Sequence, residues 1–198
     1  MATIKIDPLK LPGLWANGYV LERQHTLSSD FLGHDSNGHP RFDTKRSELG
    51  ELVFRLKNRS DRATLAPLAE TAADFVRTWG IPVDAVVPVP PSRRREFQPV
   101  VEIANGLAAQ LSKPALTGAV AKVREAPELK DVFGYAERQK LLEGAFAVHK
   151  NAASGLRLLL VDDLYRSGAT ATLVAQERPD AGAGAVHFLA MTKTRTRA

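Results

Sequence analysis

Arg157-Leu158-Leu159-Leu160-Val161-Asp162-Asp163-Leu164-Tyr165-Arg166-Ser167-Gly168-Ala169-Thr170 carries the decisive reading of this 198-residue chain. The apolar run over 156–162 predicts a strand buried on both faces. It emerges at two adjacent carboxylates, Asp162 and Asp163, passes a short turn, and enters a helix through Ser167, Gly168 and Thr170. The second half of this stretch suits anion capture. Backbone N–H groups at a helix start have no carbonyl partner within the helix, Gly168 permits close approach, and Ser167 and Thr170 add hydroxyl donors. A phosphate monoester fits such a cradle, and the two carboxylates accept hydrogen bonds from a vicinal diol. A phosphate and two hydroxyls a few ångströms apart describe a ribose 5-phosphate. The blander alternative is an acidic pair that merely caps the following helix.

Working outward, short apolar strands are expected at 85–90, 118–123, 145–148, 156–162 and 185–191, alternating with helical segments. Leu49, Leu52, Val53 and Leu56 fall on one helical face. Leu65, Leu68, Ala72, Phe75, Val76 and Trp79 form the stripe of a second helix stopped by Gly80, and a third is expected to start near Glu96. This alternation predicts an α/β fold, a central and mainly parallel sheet flanked by helices. Ligands of such sheets sit at the carboxyl ends of the strands, which selects the loops after Val89 and Val161. The front, 1–45, is punctuated by prolines and glycines and is expected to form a small irregular hood on an α/β core spanning 46–198. Within it, Asp35-Ser36-Asn37-Gly38 predicts a tight turn joining two short strands around Phe31 and Phe42. The polar stretch 122–144 is long for a plain connection and is expected to be a mobile functional loop.

Composition narrows the classes. With 44% apolar and 25% charged residues the chain is globular rather than disordered. No apolar run is long enough to span a bilayer, and the charged start Met1-Ala2-Thr3-Ile4-Lys5-Ile6-Asp7 does not read as a signal peptide, so a cytoplasmic protein without a membrane partner is expected. The absence of cysteine removes disulfides, thiolate catalysis and cysteine-based zinc sites, and none of the five histidines are paired at metal-ligand spacing. A net charge of +5 suits a polyanionic ligand or nucleic acid. His149 and His187 lie in apolar strands and are expected to be structural, while His25, His34 and His39 are expected on the surface of the front. Trp15, Tyr19 and Phe31 are expected to pack a small lobe, and the basic run from Lys193 to Arg197 to be a solvated tail.

A hydrophobic strand, Asp162-Asp163, three residues, then Ser167-Gly168-Ala169-Thr170 resembles the signature by which type I phosphoribosyltransferases bind 5-phosphoribosyl-1-pyrophosphate (PRPP). Asp84-Ala85-Val86-Val87-Pro88-Val89-Pro90 with Arg93-Arg94-Arg95 and Phe97-Gln98, Glu137-Arg138 with Gly144-Ala145-Phe146, and Leu56-Lys57 carry a closer resemblance. In order and spacing, from about residue 49 to 192, they are similar to the ComF family (ComFC/GntX-like proteins). The chain departs from that family at the front, where many members carry a four-cysteine zinc module, and at Leu141, where a polar residue is usual.

The resemblance implies a type I phosphoribosyltransferase (Rossmann-like) fold and an enzyme that transfers the phosphoribosyl group of PRPP to an acceptor, releasing pyrophosphate. Asp162 and Asp163 would hold the ribose as candidate catalytic residues, and Tyr165, Arg166, Ser167, Gly168, Ala169 and Thr170 would complete the ribose-phosphate site. Pro90, Pro91, Ser92, Arg93 and Arg94 would form the pyrophosphate loop, with Arg95 beside them. Lys122, Arg124 and Lys130 would lie on the loop that closes over the substrate. Mg2+ would enter with PRPP, held mainly through the ligand and water rather than by protein. The acceptor pocket would be built by 1–45 with the C-terminal strand; type I relatives are often dimers, so a homodimer is one state the resemblance allows. Two other classes fit the same residues: a PRPP- or nucleotide-sensing protein without turnover, and an accessory factor in DNA uptake or processing that binds single strands. The acceptor and the general base stay unassigned at this level.

Overall fold

In the computed structural model, residues 4–91, 96–122, 146–148, 153–176 and 183–194 are described, with backbone alone for 121–122 and 146–148. The elements are β1 (Leu9–Lys10), β2 (Asn17–Glu22), β3 (Thr26–His34), β4 (Pro40–Arg46), α1 (Glu48–Arg59), a 3-10 turn (Arg62–Thr64), α2 (Leu65–Trp79) and β5 (Ala85–Pro88). There follow α3 (Pro99–Gln110), β6 (Val120–Lys122), β7 (Phe146–Val148), β8 (Arg157–Tyr165), α4 (Ala169–Gln176) and β9 (Ala185–Lys193). The central sheet has the order β1-β2-β9-β8-β5, in which β2, β9, β8 and β5 run parallel and β1 is antiparallel at the edge. This is the α/β class that the alternation of strands and helices predicts.

Both faces of the sheet are covered, and the alternation of side chains along each strand sorts the core into two layers. Leu159, Val161, Val86, Leu189 and Met191 pack with Leu49, Val53 and Leu56 of α1, Leu68, Ala72 and Val76 of α2, and Ile103 and Leu107 of α3. Leu158, Leu160, Val87, Phe188 and Ala190 pack on the other side with Trp15 and with Ala171, Val174 and Ala175 of α4. The helices start and stop where their chemistry directs. Ser47 caps α1 by accepting the Gly50 N–H at 3.1 Å, with Glu48 and Glu51 in the first turn and Lys57 and Arg59 in the last. Gly80 ends α2 in the left-handed conformation, φ +70°, which glycine adopts without strain. Helix α3 begins at Pro99 rather than near Glu96, because Gln98, preceding a proline, is held extended. At the amino end of the sheet, the Arg157 guanidinium donates two bonds of 2.7 Å to the Asp84 carboxylate, pinning β5 against β8 and holding the Asp84 carboxyl well below its ordinary range.

Three expectations are corrected. The front is not a separate irregular hood: β2 pairs in parallel with β9 inside the central sheet, from Asn17 opposite His187 to Glu22 opposite Thr192. Trp15 accordingly belongs to the main core, its ring stacked on Phe188 with centroids 4.6 Å apart, and Tyr19 sits edge-on to Phe75 and Trp79. Phe31 does lie on the front's own hairpin, β3–β4, directly opposite Phe42 and exposed, and the Asp35–Gly38 turn closes it as expected, with Asp35 accepting the N–H groups of Asn37 and His39. Second, β6 and β7 do not join the central sheet but pair antiparallel with each other, Val120 opposite Val148. Third, β8 does not stop at the carboxylates: it continues to Tyr165, with Asp162 opposite Ala190 and Tyr165 opposite Lys193.

His187 is the structural histidine expected. It is 5% exposed, its ring edge-on to Trp79, and its Nδ1 makes no hydrogen bond among the described residues. Burial, with a smaller contribution from Arg157, pushes its pKa below the ordinary 6.5. The folded state therefore holds His187 neutral while the unfolded chain protonates. The stabilisation is fully present above the unfolded value and is lost as pH falls below it. A His187→Phe variant is expected to lose less stability than wild type between pH 7 and pH 5. Denaturant midpoints measured across that range check it, and parallel curves would refute it.

Candidate functional site

Because four strands of the sheet are parallel, their carboxyl ends open on one side, and the chain leaves them there after Glu22, Pro88, Tyr165 and Lys193. The loops after β5 and β8 are neighbours: Pro88 lies opposite Val161, and the Val89 N–H donates to the Val161 carbonyl at 2.8 Å. Pro90 is buried and Pro91 half-buried, so the loop after β5 starts beside the carboxylate pair. Ser92, Arg93, Arg94 and Arg95 lie outside the described residues, as do Arg124, Lys130 and His149. Lys122 ends β6, whose partner β7 runs close to α4.

The two aspartates, adjacent in a strand, point to opposite faces. Asp163 shares the face of Leu159 and Val161 and turns toward α1. Lys57, in the last turn of α1 and 106 residues away in sequence, donates to both of its oxygens, at 3.0 Å to Oδ1 and 2.8 Å to Oδ2. Asp163 is 8% exposed. Asp162 shares the face of Leu158 and Leu160, the side on which α4 lies. Its Oδ1 accepts the Asp163 N–H at 2.8 Å. Asp162 keeps part of its surface open to solvent, yet protein packs closely around the carboxyl. This burial, then the Asp163 charge, push it up to about 7, against the opposing pull of Lys57 and the N–H groups of Asp163 and Leu164.

Beyond Asp162 the chain turns at Gly168, φ +71°, and enters α4. A Cβ at this position would come within 2.7 Å of the Tyr165 ring and 3.3 Å of the Trp15 ring. Glycine is thus required by both conformation and space. The Thr172 N–H bonds the Gly168 carbonyl at 2.8 Å, which starts the helix there, and the Ser167 hydroxyl lies 3.5 Å from the Ala169 N–H. Arg166 is exposed, Ser167, Gly168 and Thr170 are half-buried, and Ala169 turns its side chain into the core. Tyr165 packs near Phe188 and covers Gly168, and its carbonyl accepts the Thr194 N–H at 3.0 Å. Gly168→Ala is expected to destabilise the protein by about 1–2 kcal/mol, the cost of a left-handed non-glycine residue, with displacement of Tyr165 in addition. Chemical denaturation reads this directly, and unchanged stability would mean that the turn relaxes into another conformation.

Sequence reading missed Lys57 and His25 as members of this site. His25 was expected on the surface with His34 and His39. Those two are exposed, but His25 is half-buried at the carboxyl end of the sheet, its Nδ1 3.0 Å from Thr192 Oγ1 and its N–H donating to the Lys193 carbonyl at 2.9 Å. Burial first, then the charges of Arg46 and Lys57, keep its pKa below the ordinary value, while Asp163 and Glu51 pull the other way. Nothing in the spacing of His25 announces this, since β2 must first be placed beside β9. Lys57 had a weak signal in its helical position, one residue past the buried Leu56.

No family model matches the chain, and no curated protein sequence matches it. Among solved structures, adenine phosphoribosyltransferase from Saccharomyces cerevisiae, complexed with an imino-altritol bisphosphate and adenine, is 14% identical, with a TM-score of 0.48 and 84% of each chain covered. Adenine phosphoribosyl transferase from Trypanosoma brucei, in complex with AMP, pyrophosphate and ribose-5-phosphate, is 11% identical, with a TM-score of 0.48 over 95% of this chain and 86% of that one. The glutamine PRPP amidotransferase of B. subtilis, complexed with ADP and GMP, is 17% identical, with a TM-score of 0.49 over 79% of this chain and 34% of that one. Among the described residues, no helix is long and apolar enough to cross a membrane.

Proposed function

We propose that this protein binds PRPP with Mg2+ at the carboxyl end of its parallel strands and transfers the 5-phosphoribosyl group to an acceptor, with release of pyrophosphate. The observation that carries the reading is the path of the chain after β8. Two adjacent carboxylates are followed by a left-handed glycine turn into the amino end of α4, beside the loop that leaves β5. Backbone N–H groups of the first turn of α4, with Ser167 and Thr170, suit the 5-phosphate. Asp162 and Asp163 suit the ribose hydroxyls, and Pro90, Pro91 and the arginines that follow suit the leaving pyrophosphate. The motif likeness to ComF proteins supports the same assignment.

The donor set fits a cation that arrives with its ligand. Asp163 already has both oxygens on the Lys57 ammonium, which makes it a poor donor to a second cation. Pyrophosphate, ribose oxygens and water would supply the coordination, and no side chain is assigned as a metal ligand. When bound, the ion neutralises charge on the leaving group. In the transfer, the bond between the anomeric carbon and the pyrophosphate oxygen breaks, pyrophosphate leaves with the electron pair, and the acceptor bonds to that carbon and loses its proton. The protein's part is to fix the ribose against the phosphate cradle, so that the acceptor meets one face of the sugar.

Calorimetric titration of the protein with PRPP and Mg2+ tests the reading. Wild type is expected to bind saturably. The Asp162→Ala/Asp163→Ala variant should bind roughly a hundredfold or more weakly, since each hydrogen bond to a charged group is worth about 1.5–3 kcal/mol. Absence of binding by wild type to both PRPP and ribose 5-phosphate would overturn it. Pyrophosphate release in a screen of acceptors separates turnover from sensing.

A further inference from the structure

We propose that Lys57 is a positioning residue that divides the labour of the two adjacent aspartates: by donating to both oxygens of Asp163 it ties that carboxylate to the α1 side, and it leaves Asp162, on the opposite face of β8, as the member of the pair that takes up and gives up a proton where the ligand binds. The inference rests on the ribose-phosphate reading of this site and adds to it a residue from outside the motif.

The geometry is specific. Two carboxylates joined by a single peptide unit repel each other, and in a half-buried setting both remain ionised only if a cation compensates them. The compensation here is lopsided. Lys57 Nζ lies within hydrogen-bonding distance of both Asp163 oxygens, at 2.8 and 3.0 Å. Asp162 has backbone help instead, its Oδ1 taking the Asp163 N–H at 2.8 Å. Strand alternation keeps the two apart, with Asp163 turned to the helix α1 side and Asp162 to the side of α4 and the Gly168 turn. Among the described residues, the charged or titratable groups on this side of the sheet include His25 after β2, with Arg46 of β4 and Glu51 of α1 beside it, Lys193 opposite Tyr165 on β9, and Arg166 in the turn. Against this background the direction for Asp162 is upward, with burial and the neighbouring anion as causes. Lys57 thus sits where it determines which aspartate carries charge, a role no residue of the motif fills.

Carbon-detected NMR of the Asp162 and Asp163 carboxyl groups, titrated with pH in the ligand-free protein, tests the clamp. In wild type, Asp162 is expected to be the member that titrates near neutrality. Lys57→Met should raise the Asp162 midpoint by about half a pH unit or more, because the opposing cation is gone. Lys57→Arg, which keeps the charge, should hold it within about 0.3 units. Asp163→Asn, with Lys57 in place, should lower it by about one unit, and this variant keeps the test alive if Lys57→Met does not fold. An Asp162 midpoint that stays the same in Lys57→Met or Asp163→Asn, or a near-neutral titration that belongs to Asp163, overturns the proposal. PRPP titration of the same samples separates the two layers. If wild type binds no PRPP but the midpoints move as stated, the clamp stands and the ribose reading falls. If PRPP binds while the midpoints do not move, the reading stands and the clamp falls.

Discussion

Lys57→Met is expected to lower the unfolding free energy by about 3 kcal/mol, the lower end of the range for a buried ion pair broken on one side. The lower end applies because the Lys57 side chain is 33% exposed and that of Asp163 12%, so water screens part of the attraction. The cost arises less from the lost attraction than from what is left behind: an Asp163 carboxylate, beside a second carboxylate, with no cation to compensate it. Asp163→Asn in the Lys57→Met background should therefore recover most of the loss, since the orphaned charge is removed with its partner. Urea denaturation of the wild type, both single variants and the double variant gives the coupling energy. A single-variant cost below about 0.5 kcal/mol would place the pair among exposed ion pairs of little weight.

Phe188→Ala is expected to cost about 3–5 kcal/mol, the range for deleting a wholly buried aromatic ring. Phe188 is 0% exposed on the central strand β9, stacked on Trp15 and 6.0 Å between centroids from Tyr165. Those two rings are the ones that crowd Gly168. The cavity therefore opens directly beneath the Gly168 turn, and the loss should be felt at the candidate site as well as in the core. PRPP affinity measured below the unfolding transition should drop in Phe188→Ala and be largely kept in Phe188→Leu, whose volume change is smaller. Equal affinity in all three proteins would show that the turn holds its shape without this support.

Much of the fold was legible because burial on one face imposes a period. Helix α2 runs over Leu65–Trp79, as its stripe and Gly80 predict, and β5 and β9 fall on their apolar runs. Pairing was harder to see. The apolar runs that became β6 and β7 predict strands but say nothing of their partners, and the two pair with each other. Strand β8 was read short because aspartate is a poor strand former, yet its ladder with β9 carries both carboxylates well inside the strand. The acidic pair and the glycine turn mark a candidate site from local sequence alone, since one strand–turn–helix unit contains them. Lys57 and His25 reach the same place from α1 and from the connection after β2, and only the assembled sheet brings them there.

The placement of β9 has a consequence for how the molecule is made. It follows every other described strand in sequence, yet it lies at the centre of the sheet, with β2 on one side and β8 on the other. The segment containing β2 leaves the ribosome early with β1, and its other edge must wait for a partner until residues some 170 positions later are available, Asn17 meeting His187. Parallel pairings at such separation are the slow ones, because loop-closure entropy is spent before any contact rewards it. Nascent chains stopped before Ala185 would therefore expose the flanks of β2 and β8 together, and the interval before β9 docks is when this protein should most need a chaperone.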